Sequence, residues 1–414
     1  MKVENEPEPE PEFPGTRVSS SEVRNESPDV SVDDFEQLTA DNRRFAIDLY
    51  HQLRTAPGNL FYSPTSISYA LAMTYAGARG RTAEEIAEVL HFDLPDATLH
   101  EAFNRLDLEL ASRGEEASGA DGGAFRLNVV NQIFGQTNYS FLPAFLDTVA
   151  RNYGSGLVTL DFAQDPEGSR QSINSWVERM TEERIEDLLP NGSISSSTRL
   201  VLANAIYFNA AWRVPFDEER TYQAPFRAPN ETVDVAMMRV DSSFGYAEIE
   251  GAQVVSLPYK GDELDMIIVA PTGTDFATFE AGWTYSMLDQ AMADLRHEAL
   301  ALELPKFEMT YERSLKEDFM AMGIRAAFGF ADFSGLSENE GLAITDIFHK
   351  AFVKVNEQGT EAAAATAVVI GETSVPSFIP VRIDRPFLFF VRDLATDSVL
   401  FMGRVLNPSP STEN

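Results

Sequence analysis

Segments with a helical period crowd the first part of this chain, and segments with a strand period fill most of the remainder. That order limits the fold more than any other feature. In "SVDDFEQLTADNRRFAIDLYHQL", Phe35, Leu38, Phe45, Leu49 and Leu53 share one helical face, and Ser31 with Asp34 resembles a capping box. "APGNLFYSP" reads as a turn and a short strand. Ser63 before Pro64 predicts a capped start for the helix "TSISYALAMTYAGA". Thr82 with Glu85 predicts another capped start, around "TAEEIAEVL". Strand-like runs follow in "FRLNVVNQIFG", "RLVLANAIYFNAAW" and "VVSLPYKGDELDMIIVAP", the last with a Gly261-Asp262 hairpin signal. Later come "ALALELPKFEMTYE", "HKAFVKVNE" and "RPFLFFVRD" with "SVLFMGRVLNP". Strand and helix nowhere alternate with a βα period, so the pattern predicts an α+β fold with largely antiparallel sheets.

A chain of 414 residues would allow roughly two or three domains, yet no internal repeat or long biased linker divides it. Residues 1–30 are rich in Glu, Pro and Ser and predict a disordered tail. Residues 31–410 are expected to form a single domain, and 411–414 a disordered end. "RGEEASGADGGAF" reads as a surface loop. No window reaches the ~18 uninterrupted apolar residues of a membrane span. The start, "MKVENEPEPEPEFPG", lacks the apolar centre of a signal peptide; a mature secreted chain would look the same, so extracellular and cytoplasmic locations both stand.

Charge narrows the partners. Against 65 Asp plus Glu stand 32 Lys plus Arg, a net −33 that repels phosphate backbones and argues against nucleic acid. Lysine occurs only at positions 2, 260, 306, 316, 350 and 354, every other cation being arginine. Such a surface suits high salt, where screening removes much of the self-repulsion. With no cysteine, disulfides, thiol catalysis and thiolate-bound metals are excluded. His51, His91, His100, His297 and His349 form no HExxH pair; His91 and His100 read as solvated, and no metal site is expected. Neither a G-x-S-x-G elbow nor a Walker loop is present, so neither an enzyme nor a cofactor is expected.

One stretch resists this reading: "VNEQGTEAAAATAVVIGETSVPSFIP", Val355 to Pro380. Alanine favours helix, yet Gly359 precedes the run and Val368, Val369 and Ile370 follow it. Taken alone, it could be an alanine-rich turn or linker, or a bait loop. In company with other motifs it resembles the reactive loop of the serpin family. "NLFYSPTSISYALAMTYAGARGRTAEEIAEVL", "LVLANAIYFNAAWRVPF" and "RPFLFFVRDLATDSVLFMGRVLNP" resemble long serpin motifs and occur in the family's order, from about residue 32 to Pro408.

The resemblance implies the serpin fold: helices clustered around three mainly antiparallel sheets, with an exposed reactive-centre loop. It also implies a protease inhibitor acting by a suicide mechanism, here a prokaryotic, salt-adapted and monomeric one. The alternative is a non-inhibitory carrier whose loop is only a substrate. A hinge would run through Glu357, Gly359, Thr360, Glu361, Ala362, Ala363, Ala364, Ala365 and Thr366. Strand alternation puts Thr360, Ala362, Ala364 and Thr366 on one face, all small enough to slide between strands, with Glu361 on the other. By resemblance, Ser63, Ser66, Asn204 and His349 form the polar cluster beneath the strands that part, and Trp212, Lys306 and Glu357 sit where the loop enters. Counting from Glu357 as the family does places the cleaved bond between Thr373 and Ser374, with Glu372 and Val375 as alternatives. Those residues suit a serine protease with a shallow apolar pocket, elastase-like or subtilisin-like. No Arg or Lys lies between Glu357 and Arg382, which excludes a trypsin-like target.

Overall fold

The computed structural model describes residues 13–114, 117–120, 124–273, 275–339, 341–360 and 377–409. Its helices are α1 (Val32–Leu53), α2 (Pro64–Tyr75), α3 (Gly80–Leu90), α4 (Asp96–Ala111), α5 (Pro143–Tyr153), α6 (Pro166–Met180), α7 (Phe276–Ala281), α8 (Tyr285–Ala293) and α9 (Lys316–Met322). Two expected caps form: Ser31 Oγ accepts the Asp34 N–H at 3.1 Å, and Ser63 Oγ the Ser66 N–H at 3.2 Å. The third does not. α3 begins at Gly80 without a side-chain cap. Thr82 Oγ1 instead accepts the Asp332 N–H, and Glu85 takes the N–H groups of Arg325 and Ala326. Backbone donors from a distant segment outcompete the local ones, so this pair fastens α3 to the rest of the molecule.

Among the described residues, one sheet has seven strands in the order β1 (Thr16–Val18), β4 (Leu157–Leu160), β3 (Arg126–Gln136), β5 (Leu200–Ala211), β13 (Gly359–Thr360), β12 (Ile344–Val355) and β11 (Phe307–Ser314). The other runs β14 (Ile379–Arg382), β10 (Arg296–Pro305), β7 (Thr232–Ile249), β8 (Ala252–Pro258), β9 (Leu264–Pro271), β15 (Phe387–Asp393), β16 (Val399–Val405) and β2 (Leu60–Tyr62), with β6 (Tyr222–Arg227) beside β7. Pairing is antiparallel except at β3–β4, β5–β12 and β10–β14. The expected second and third sheets share one strand. β7, 18 residues long, carries β6 and β10 along its first part and β8 along its last.

Residues 13–30, expected to lie in a disordered tail, are tied to the rest of the molecule. Thr16–Val18 pairs antiparallel with Leu157–Thr159, and Phe13 stacks on Trp176 with ring centroids 5.6 Å apart. Arg24 reaches Asp107 and Asn104 on α4. A backbone ladder, an aromatic stack and several polar contacts hold a segment whose composition suggests disorder, because a strand edge needs few large side chains.

Three cores border the seven-stranded sheet, one of them joining Ile133, Leu157, Leu200, Leu202 and Ile347 to residues of α1, α2 and α4. On its inner face Ile206, Phe208 and Ala210 of β5 and Ala351, Val353 and Val355 of β12 pack against the second sheet. On its outer face Val201, Ala203 and Ala205 of β5 and Phe348 of β12 meet Ile173, Trp176 and Val177 of α6. With both faces covered, β5 reads as a nearly continuous apolar run.

Candidate functional site

β5 and β12 begin side by side and end apart. From Ile344 opposite Leu200 to Phe352 opposite Tyr207 they pair directly, in parallel. Beyond that, the short strand β13 lies between them, with Thr360 opposite both Val355 and Ala210, and Gly359 opposite Ala211. The chain leaves β12 at Val355, turns, and re-enters the sheet it has just left. Asn356 builds the turn: its Oδ1 accepts the N–H groups of Gln358 (3.0 Å) and Gly359 (3.3 Å), and its own N–H donates to Gly359 O. A Cβ on residue 359 would lie 2.2 Å from Ala210 O, so only glycine fits. Thr360 is fully buried, and its hydroxyl meets the Tyr259 hydroxyl at 2.7 Å.

Of the sequence-named hinge, Glu357, Gly359 and Thr360 are therefore placed. Glu361, Ala362, Ala363, Ala364, Ala365 and Thr366, and the reactive-bond candidates Glu372, Thr373, Ser374 and Val375, lie outside the described residues.

Trp212, Lys306 and Glu357 do come together around this turn. The Trp212 indole donates to Asn356 O at 2.9 Å, its backbone N–H to Gln358 O at 2.8 Å, and its ring stacks on Tyr259 at 4.6 Å. The Glu357 side chain, 6% exposed, accepts from Lys306 Nζ at 2.6 Å and from the Thr221 hydroxyl at 2.7 Å. Burial pushes this carboxyl up, but the Lys306 and Thr221 hydrogen bonds outweigh it and hold the group below the usual carboxylate range. Thr221, Tyr259 and Asn356 were not singled out in the sequence; all are single polar residues without a local pattern. The expected surface loop also contributes. Ala120 is buried, and its N–H donates to Asn209 Oδ1 at 2.7 Å; Ser118 O accepts the Ala211 N–H.

Below the parting, Ser63, Ser66, Asn204 and His349 form one network. Asn131, Asn204 and His349 stand directly opposite one another on β3, β5 and β12. The Ser63 N–H points at His349 Nε2 (3.4 Å), which makes Nε2 the acceptor and leaves Nδ1–H to donate to Asn204 Oδ1. Asn204 Nδ2 then donates to Ser66 Oγ (2.7 Å) and to Asn131 Oδ1. Both His349 and Asn204 are fully buried. Burial alone pushes His349 down to about 3, so it is neutral, as this bonding requires. Asn131 completes the row; in the sequence it is one of two asparagines in "LNVVNQIF", with nothing local to single it out.

Of the two histidines expected to be solvated, His91 is half-exposed and His100 is not solvated. His100 is buried against the Tyr153 hydroxyl at 2.7 Å, and His91 pairs with Asp48 at 2.7 Å. Among the described residues no group of three His, Asp or Glu could hold a metal ion.

Residues 40–408 match the family Serpin (serine protease inhibitor). Human Serpin B4 is 38% identical over 395 residues, 90% of this chain and 99% of its own length. The leukocyte elastase inhibitor of Sus scrofa is 37% identical over 389 residues, 90% of this chain and all of its own. The crystal structure of human thyroxine-binding globulin superimposes with a TM-score of 0.80 at 30% identity, over 91% of this chain and 99% of that one.

Proposed function

The chain belongs to the serpin family, and from that premise we propose that it inhibits serine proteases by the suicide mechanism. The protease cleaves the loop and is acylated through its serine. The loop then enters the seven-stranded sheet between β5 and β12, carrying the protease with it. The observation that carries this reading is β13: the sheet is already parted at one end, and the first two loop residues occupy the gap. The residues due to follow, through Thr366, are small at every second position, which suits passage between packed strands.

The polar cluster acts as the fastening below the gap, and the Trp212–Glu357–Lys306 group fixes where the loop turns in. The cleaved bond is Thr373–Ser374, and the target a protease with a shallow apolar pocket. The elastase inhibition named for the pig relative supports an elastase-like target. The acidic, lysine-poor surface fits work in high salt. Thyroxine-binding globulin, of similar structure, keeps a carrier role in view as the second reading.

Incubation with subtilisin and with an elastase, in dilute and in molar salt, tests the proposal. A denaturant-resistant complex with a released peptide starting at Ser374 is expected. Cleavage without a complex would leave the carrier reading.

A further inference from the structure

Asn191 and Gly192 form the only Asn-Gly pair in the chain, and they stand at the tip of an exposed turn between α6 and β5. The Ser193 N–H donates to Pro190 O at 3.1 Å, which makes Asn191 and Gly192 the two central residues of the turn. Gly192 holds φ at +80°, a conformation that glycine takes without strain. A Cβ on it would meet nothing within 4 Å, so no neighbour crowds this tip. Among the described residues, neither the Gly192 N–H nor the Asn191 side-chain amide has a hydrogen-bond partner. A nucleophile and an electrophile thus lie on adjacent residues, both in water and both unrestrained.

Asn174, followed by Ser175 inside α6, is the opposite case. Its amide is spent on Leu189: Nδ2 donates to Leu189 O at 3.0 Å, and Oδ1 accepts the Leu189 N–H at 2.8 Å. Arg170 Nη1 adds a second donor to Leu189 O at 2.8 Å. This clamp bears on the turn. Leu189 is fully buried just before it, and Ile194 is buried just after it. A turn pinned at both ends has no slack for an added backbone atom.

We propose that Asn191 is a site of spontaneous deamidation, and that the isoaspartyl turn it forms pulls Leu189 from its clamp on α6. The Gly192 nitrogen gives up its proton to solvent base, attacks Asn191 Cγ and closes a five-membered ring. The Cγ–Nδ2 bond breaks and ammonia leaves. Water then opens the cyclic imide. Attack at the main-chain carbonyl breaks the C–N bond there, and the chain afterwards runs through Cβ and Cγ. The product is one methylene longer than the peptide it replaces and carries a free carboxylate. Water is the only co-reactant.

The test ages the full-length protein in mildly alkaline and in mildly acidic buffer, beside Asn191→Gln, whose longer side chain must close a slower six-membered ring. Trypsin frees Ile185–Arg199, in which Asn191 is the only asparagine. That peptide should gain one dalton and split into two chromatographic forms in the alkaline sample, less so in acid, and not in the glutamine variant. Aged molecules, separated by their added negative charge, should have a thermal midpoint about 1–3 °C below that of fresh protein. Fresh Asn191→Asp, which adds the charge without the length, should keep the original midpoint. An unchanged peptide after alkaline ageing would overturn the site. Conversion without a lower midpoint, or an equal loss in Asn191→Asp, would overturn the pull on the clamp.

Discussion

β5 and β12 meet under two regimes along their length. Below Tyr207 and Phe352 they are bonded to each other, and the Asn131–Asn204–His349 row ties them side chain to side chain. Above that level they are bonded to β13, and the side chains that matter there hold a turn. In both halves the backbones are paired, so neither is a break in the ladder. Only the identity of the strand in the middle differs, which locates the boundary of the proposed movement at one step of the ladder.

Changing the upper half should have the largest effect. Thr360→Arg would place a guanidinium at a fully buried position beside Tyr259, where no carboxylate is available among the partners described. Covalent complex on a denaturing gel is expected to fall by at least about 100-fold, with the loop cut as a plain substrate. Persistence of complex would mean that β13 does not lead the insertion.

A smaller effect is expected from loosening the lower half. Asn204→Ala removes the acceptor of His349 Nδ1–H and the donor to Ser66, and should lower stability by about 1–3 kcal/mol in urea unfolding. An unchanged midpoint would show that the row adds nothing to the closed sheet.

The two halves should also differ in pH dependence. Burial holds His349 at about 3, against a reference of 6.5. Between those values the unfolded chain binds a proton that the folded chain does not, so this contribution is lost as pH falls from 6.5 toward 3. His349→Gln keeps a donor and an acceptor but cannot titrate. It should flatten the stability profile between about pH 6.5 and 4.5 by up to about 1.4 kcal/mol per pH unit. His100, held at about 4 by burial, has the same sign and stays in both proteins. Glu357 loses its contribution only at lower pH, as the medium falls below the ordinary carboxylate range and through its depressed value. Identical profiles would remove His349 from the account.

Lys306→Ala should matter least. The lysine side chain is 40% exposed, so its pairing with Glu357 is screened, and a loss of about 1 kcal/mol or less in urea unfolding is expected. A loss exceeding that of Asn204→Ala would reverse the ranking of the two halves.

Much of this contrast is legible in the chain. Periodicity locates the helices, and Ser31 and Ser63 cap as their spacing suggests, each hydroxyl oxygen accepting the local N–H while its O–H donates elsewhere, to Asp34 and to Leu400 O. Thr82 and Glu85 carry the same signature and do something else, because their partners lie about 240 residues or more away. The four residues of the polar cluster are recognisable through family resemblance, whereas Asn131 becomes visible only once β3 and β5 are in register. β1 escapes composition altogether, since a strand edge is satisfied by backbone groups that every residue carries.

That small strand has a further consequence. Under the proposed insertion, a sheet that receives a guest strand in its middle gains from refusing guests at its sides, or one molecule's edge becomes another's template. Thr16–Val18 fills the lateral row of β4, and Gly156, packed against Val18 O, leaves no room for a bulkier residue there. The N-terminal segment thus serves as a selvedge, a finished border along one side of the cloth.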